Sequence, residues 1–557
     1  MRRLRWQLLI LIAALGMVGL FLLNRPAPAT VDGVPETASP PPSVGGAYTE
    51  ALLGTPTRLN PVLDFYSAVD RDVDRLLYSS LLRFDDRGLP VPELAESWGI
   101  SQDARVYNFS LRQGVRWHDG QPLTSADVLF TIGLLKDPGL PVPDDLRELW
   151  ETVEVEALDA SLLQFRLPEP YAPFLDYLTF GVLPAHLLQD LTPEEFISAP
   201  FNLQPVGSGP YRFVQFLGEG SQITGVELEA FAEYYGEKPF LDRITFHYYP
   251  DAAAAWQAYQ AGQVLGLSQV PIEIFPEVLA EENLRVYTGR LPQLTLVLFN
   301  LANPGVSFFQ DLAVRKALLM GLNRQRMIDE FLSGQAILAD GPIFPGTWAY
   351  YEGLEPLAYD SEQAIDLLRE AGYALPAEGG DVRVKEEVEL SFTLAYPLGE
   401  QYEQMAVYIQ ESWARLGVEV ELEPLPYLDL VESRLQTRTY QAALVDLTLF
   451  RSPDPDPYPF WHQAQATGGQ NYSGWDDRPA SEYLEQARVT LNFEERGRLY
   501  RNFQARFSRE IPALVLYYPV YTYAVDAQVE GVRMGPLFDP SDRFAFAGTW
   551  YLAAPSQ

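Results

Sequence analysis

The stretch Tyr107-Asn108-Phe109-Ser110-Leu111-Arg112-Gln113-Gly114-Val115-Arg116-Trp117-His118-Asp119-Gly120-Gln121-Pro122-Leu123-Thr124-Ser125-Ala126-Asp127-Val128 changes its apolar period part-way along. Over Tyr107 to Leu111 apolar and polar residues alternate, as in a half-buried strand, and Asp119-Gly120 then marks a turn. Thr124 is placed to cap a helix whose first turn holds Asp127, with Val128, Leu129, Ile132 and Leu135 as its apolar positions. The spacing predicts strand, turn and helix in succession.

The same interleaving extends outward. A helix is expected from Gln310 to Glu330, and another from Ser361 to Glu370 that stops at Gly372. A third runs from Gln404 to Leu416, stops at Gly417 and feeds the alternating strand Val418-Glu419-Val420-Glu421-Leu422. Helices and strands alternate without an internal repeat, which predicts α/β lobes with mixed sheets. At 557 residues the chain is too long for one ordinary core, so at least two lobes are expected.

Composition narrows the function classes. With 47% hydrophobic and 13% aromatic residues the chain can bury ample surface. Forty Lys and Arg against 75 Asp and Glu give a net charge of −35, which repels polyanions and argues against nucleic-acid binding. With no cysteine there is no disulfide framework, thiol nucleophile or acylatable anchor. Attachment is expected instead at the N-terminus. Arg2, Arg3 and Arg5 precede an uncharged run from Trp6 to Leu23 that would span about 27 Å as a helix. The arginines orient it with the N-terminus inside, so the remainder is exported. Residues 1–24 then form a membrane anchor or a signal segment, the latter because Ala27-Pro28-Ala29 imitates a cleavage site. Residues 25–45 are a Pro-rich linker.

Further blocks complete the pattern. Leu81-Leu82-Arg83-Phe84 and Pro92-Glu93-Leu94-Ala95-Glu96-Ser97-Trp98 precede the quoted stretch; Val206-Gly207-Ser208-Gly209-Pro210-Tyr211 and Lys238-Pro239-Phe240-Leu241-Asp242-Arg243-Ile244 follow it. Val314-Arg315-Lys316-Ala317-Leu318 with Asn323-Arg324, then Asp454-Pro455-Asp456 with Asn471-Tyr472-Ser473, come later. In this order the blocks resemble the signature of the bacterial extracellular solute-binding proteins of family 5, the oligopeptide-, dipeptide- and nickel-binding components of ABC transporters. The resemblance covers roughly Gly46 to Val532. It implies a two-lobed, periplasmic-binding-protein-like α/β fold of type II, with mixed β-sheets, two crossing strands and a first lobe enlarged by an extra subdomain. On that reading 46–295 and 514–557 form lobe I, with the subdomain at about 90–205, and 296–513 form lobe II. It also implies a ligand enclosed between the lobes and delivered to ABC permease subunits, with the protein a monomer.

A receptor for varied oligomers does well with aromatic faces and a few polar anchors. The expected ligand-binding residues are Phe65 and Tyr66, in the loop after Asn60-Pro61, then Tyr396, Tyr427, Trp461, Tyr472 and Trp475, with Asn471 beside them. Prolines in Arg451-Ser452-Pro453-Asp454-Pro455-Asp456-Pro457 hold an extended loop that presents Arg451, Asp454 and Asp456. The same loop also reads as a solvated turn in an acidic protein. In dipeptide-binding relatives an Asp just ahead of this loop pairs with the ligand amine. Here Leu449, Phe450 and Arg451 occupy that place and Asp446 is the nearest carboxylate. Those relatives also carry an Arg for the ligand carboxylate, where this chain has Tyr396. Two missing charge anchors argue against a zwitterionic dipeptide and for a longer or blocked peptide, or an oligosaccharide stacked on tryptophans.

His118, His186, His247 and His462 lack metal-binding spacing. His118 reads as part of the scaffold turn, and His462 as the one candidate for a ligand or metal contact. No nucleophile elbow, zinc-protease helix or phosphate loop is present, so no catalysis and no cofactor are expected, although acidic pairs leave a two-carboxylate glycosidase as a rival. A membrane-tethered ligand sensor is the other alternative.

Overall fold

The computed structural model describes residues 44–553, apart from 220–221 and 450–451. The expected anchor and nearly all of the expected linker, like Arg451, lie outside the described residues. Among the described residues no helix is long and apolar enough to cross a membrane.

A 12-stranded mixed sheet runs through the molecule. Its backbone is the 14-residue strand Ala513–Asp526. Residues 520–526 pair antiparallel with Leu284–Arg290, and residues 513–517 pair antiparallel with Gln293–Phe299. Two consecutive strands thus lie end to end along one partner. The chain crosses between lobes at Leu291-Pro292 and returns through Tyr518-Pro519. Pro519 supplies no amide hydrogen to a ladder, which suits a point where pairing changes partner.

On one side of the crossing the strands Ala47–Leu53, Arg243–Tyr249 and Gly266–Leu267 pack Tyr48, Leu52, Phe246 and Tyr523 into one core and Ala51, Leu267 and Ala524 into another. On the other side, Leu294, Leu296 and Leu298 face one core while Val297 and Phe299 face its opposite. Alternation at period two, with both faces covered, explains why Gln293–Phe299 reads as a nearly continuous apolar run.

A separate four-stranded antiparallel sheet, Ala95–Ile100, Val106–Leu111, Leu162–Arg166 and Glu154–Asp159, carries the stretch that began the sequence analysis. Helix Ser125–Lys136 follows as expected. Asp127 Oδ2 accepts from the Thr124 amide at 2.8 Å and its Oδ1 accepts from the Ala185 amide at 3.0 Å, so one buried carboxylate caps the helix and ties it to the next segment. The turn before it meets the glycine-rich block. His118 N donates to Gly207 O at 2.8 Å, Gly207 N donates to His118 Nδ1 at 3.1 Å, and a Cβ on Gly207 would lie 1.9 Å from Leu77 O. Burial lowers the His118 pKa to about 4, so the ring is neutral and free to accept at Nδ1.

The helix expected over Gln310 to Glu330 is two helices, Leu312–Met320 and Arg324–Phe331. Gly321 closes the first, and the Asn323 side chain caps the second at the Arg326 amide. The single apolar period across both had masked this break. Ser361–Glu370 forms as expected, and the next helix begins a turn earlier than expected, as Glu400–Ala414. Gly372 and Gly417 follow these helices at φ of +92° and +83°.

Candidate functional site

Where the lobes face each other, a cavity of about 1220 Å³ opens over the ends of the lobe II strands near the crossing. The upper end of the usual range for small-ligand sites is about 1,000 Å³, so the space suits an oligomer rather than a single small metabolite. One wall is built from 61–65, 71–86 and 176–181 together with 535–546, the other from 427–435, 445–449 and 452–472.

Asp446 is the best-defined polar group of the lobe II wall. It pairs across the ladder with Thr295, whose hydroxyl donates to Oδ1 at 2.5 Å. The Tyr402 hydroxyl, brought over by helix Glu400–Ala414, donates to Oδ2. Burial, with Asp446 beside it, pushes the Tyr402 phenol well up, so it stays a neutral donor. Two neutral hydroxyls orient the carboxylate, and it has no cationic partner among the described residues.

The aromatic residues divide. Phe65, Tyr427, Trp461 and Tyr472 line the cavity. Tyr427 is 58% exposed, and the Arg438 guanidinium lies over the Tyr472 ring at 4.6 Å. Trp461 is floor rather than lip: it is buried, with its ring edge-on to Phe507 at 4.7 Å. The other three aromatics expected there do not line the cavity. Tyr66 points to solvent at 79% exposure. Tyr396 shares a strand face with Phe392 and Leu394, so the two-residue period turns it into the core. Trp475 packs edge-on against Phe507 at 5.8 Å. Asn471 is fully buried; its amide nitrogen donates to the carbonyls of His462 and Trp475, and its Oδ1 accepts from Ser473, so it braces its own loop.

The Pro-rich loop presents its carboxylates in a way the sequence does not announce. Asp454 is buried, ion-paired with Arg496 and hydrogen-bonded by the Tyr500 hydroxyl at 3.2 Å. Asp456 pairs with Arg488 at 2.6 Å, and that guanidinium lies 3.9 Å from the Tyr458 ring centre. The loop is a fixed wall rather than a solvated turn. His462 is buried as well: Nε2 lies 2.9 Å from Glu485 Oε1 and Nδ1 accepts from the Ala464 amide. Among the described residues no group of three or more His, Cys, Asp or Glu could hold a metal ion.

Sequence reasoning missed the facing wall. Tyr171, Tyr177 and Phe180 line the cavity from the small-sheet region, and Phe538 and Phe546 from the C-terminal segment. Lying far apart in the chain and in no motif, they carried no local signal. Aspartates and glutamates outnumber arginines around the cavity, and Arg71, Arg75 and Arg488 already pair with Asp539, Asp542 and Asp456.

Two lobes joined by paired crossing strands, with a partly open cavity between them, define a periplasmic-binding-protein-like fold. A family model described as bacterial extracellular solute-binding proteins, family 5 middle, matches residues 90–470, and the chain belongs to that family. It is 26% identical over 547 residues to the oligopeptide-binding protein AppA of Bacillus subtilis (strain 168), covering 95% of this chain and 97% of that one. The solved structure of that protein in complex with a nonapeptide superposes with a TM-score of 0.68 over 92% of this chain and 100% of its own. The dipeptide-binding protein of Escherichia coli (strain K12) is 27% identical over 515 residues, or 87% and 91% of the two chains. The ABC transporter substrate-binding protein CtaP of Listeria monocytogenes superposes with a TM-score of 0.76 at 25% identity, covering 92% of this chain and 100% of that one.

Proposed function

We propose that this chain is the substrate-binding component of an ABC importer, which captures a peptide between its lobes and hands it to a membrane permease. The observation that carries the reading is the cavity with Asp446 on its wall, a carboxylate oriented by two hydroxyls and without a cationic partner among the described residues. A half-buried carboxylate of this kind gains most from a charge-assisted hydrogen bond to a ligand ammonium. The surplus of carboxylates around the cavity favours the same sign of ligand charge. Phe65, Tyr427 and Tyr472 supply ring faces that tolerate varied side chains. The family's importers and the peptide ligands of the relatives support this reading over an oligosaccharide receptor or a membrane sensor.

In this proposal the halves that close are the expected 46–295 with 514–557, and 296–513, the chain itself crossing between them at 291–292 and 518–519. Residues 1–24 hold the protein at the outer face of the membrane or are removed on export. The protein works as a monomer, without cofactor or covalent step. Closure is driven by the ligand's greater affinity for the closed form. The test is native mass spectrometry of the purified chain, followed by thermal-shift screening of peptides with free and acetylated N-termini. Stabilisation by free-amine peptides supports the reading; stabilisation by oligosaccharides alone, or turnover of any of them, overturns it.

A further inference from the structure

At one side of the cavity, through residues that line it, the two lobes also touch each other directly. The turn of helix Ala172–Leu178, whose Phe174 and Leu178 belong to the lobe I core, faces the Pro-rich loop of lobe II. Asp176 Oδ2 accepts from the Ser452 hydroxyl at 2.8 Å and from the Asp454 amide at 2.8 Å. Beside it Tyr171 lies 5.6 Å from the Arg488 guanidinium, and its hydroxyl is 3.4 Å from Asp456 Oδ2. Asp176 and Asp454 are both buried. Two carboxyl groups so placed cannot both ionise without a large cost.

We propose that this contact is a latch for the closed form and that closing it takes up one proton from solvent at the Asp176–Asp454 pair. It rests on the reading of the chain as a hinged receptor and adds its regulation. Burial raises the Asp454 carboxyl too, but Arg496, its ion-pair partner within lobe II, opposes that rise, so the proton is assigned to Asp176. The other groups facing the pair are Asp456, balanced by Arg488, and the phenols Tyr171, Tyr177 and Tyr500, all pushed up by burial and neutral. Burial first, and Asp454 second, push the Asp176 carboxyl up to about 8 from its ordinary 3.8. Opening the lobes exposes Asp176 and returns it toward the ordinary value. A carboxyl raised in the closed form favours closure fully below the open-state value, and that preference is lost as pH rises towards about 8. Over that window the closed-to-open ratio falls by about tenfold per pH unit, the slope for one proton.

The absence of cysteine makes the test direct. Leu187→Cys in lobe I and Leu428→Cys in lobe II, both exposed, give one labelled pair on the full-length chain, and the interlobe distance is read without ligand from about pH 5 to about pH 9. The expected result is a shift toward longer distances with rising pH, absent in Asp176→Asn. Ser452→Ala, which removes one donor but keeps the carboxyl pair, should lower the closed population at every pH and keep the slope. A flat response in the parent chain, an unchanged slope in Asp176→Asn, or a Ser452→Ala population equal to the parent's would overturn the latch. Because no peptide is present, that result leaves the peptide reading standing, whereas peptides that fail to stabilise the chain leave the latch standing.

Discussion

Asp446 sits at the end of strand Ala442–Thr448 nearest the lobe crossing, with Thr295 and Tyr402 spending their hydroxyl hydrogens on it. A hydrogen bond to a charged group contributes about 1.5–3 kcal/mol, so Asp446→Asn should weaken a free-amine peptide by roughly 10- to 150-fold. The N-acetylated form should lose much less, and calorimetric titration of the two peptides against both proteins reads the difference. A second residue-scale group acts on stability alone. Arg543 is fully buried between Glu50 Oε1 at 2.7 Å and Asp72 Oδ1 at 2.6 Å, joining the first strand, an early helix and the C-terminal segment. Removing one partner of a buried ion pair leaves uncompensated charge and costs about 3–5 kcal/mol. Arg543→Met should therefore lower the unfolding free energy from chemical denaturation by that much while leaving peptide affinity of the folded fraction unchanged.

At the scale of elements, the quoted stretch works because its parts interlock. Asp127 serves the helix it begins and the Ala185 amide beyond it, and nine-tenths or more of the residue is buried. Asp127→Ala leaves two amides without their acceptor and should cost about 1–3 kcal/mol in chemical denaturation, more than an exposed cap would. The glycine-rich block behaves differently, since its constraint is space. A methyl at Gly207 would overlap the Leu77 carbonyl, and both partners are backbone. Gly207→Ala should lower the yield of folded protein, and circular dichroism melting should show the loss. Reading Gln310 to Glu330 as one helix failed at the same scale: Gly321 and Asn323 cap two helices, and local caps overrule a period that continues through them.

For the whole molecule, the long strand Ala513–Asp526 is what makes two lobes into one hinged body, since it pairs with Leu284–Arg290 and Gln293–Phe299 in turn. The two ladders meet at 291–292 and 518–519, where residues 517–519 also pair with Ala336–Leu338, and hinges between lobes absorb motion in a few residues. A ligand that binds the folded chain alone, at about 100 times its dissociation constant, should stabilise it by about 2.7 kcal/mol. A melting curve that does not move with saturating free-amine peptide would contradict the cavity's assignment.

The interleaved periods, the glycine stops, the missing cysteines and the run of motif blocks were legible in the sequence, because each depends on residues close together in the chain. They determined an α/β receptor fold and its family. Which aromatic rings face the cavity was not legible. Tyr396 and Tyr427 look alike in sequence, and only the pairing of their segments turns the first into the core and leaves the second on the wall. Asp454 likewise reads as a loop carboxylate until the fold brings Arg496 and Asp176 against it. Periodicity tells that a side chain is buried on one face of its own element. What it is buried against is set by contacts between segments hundreds of residues apart, and the tertiary structure alone decides those.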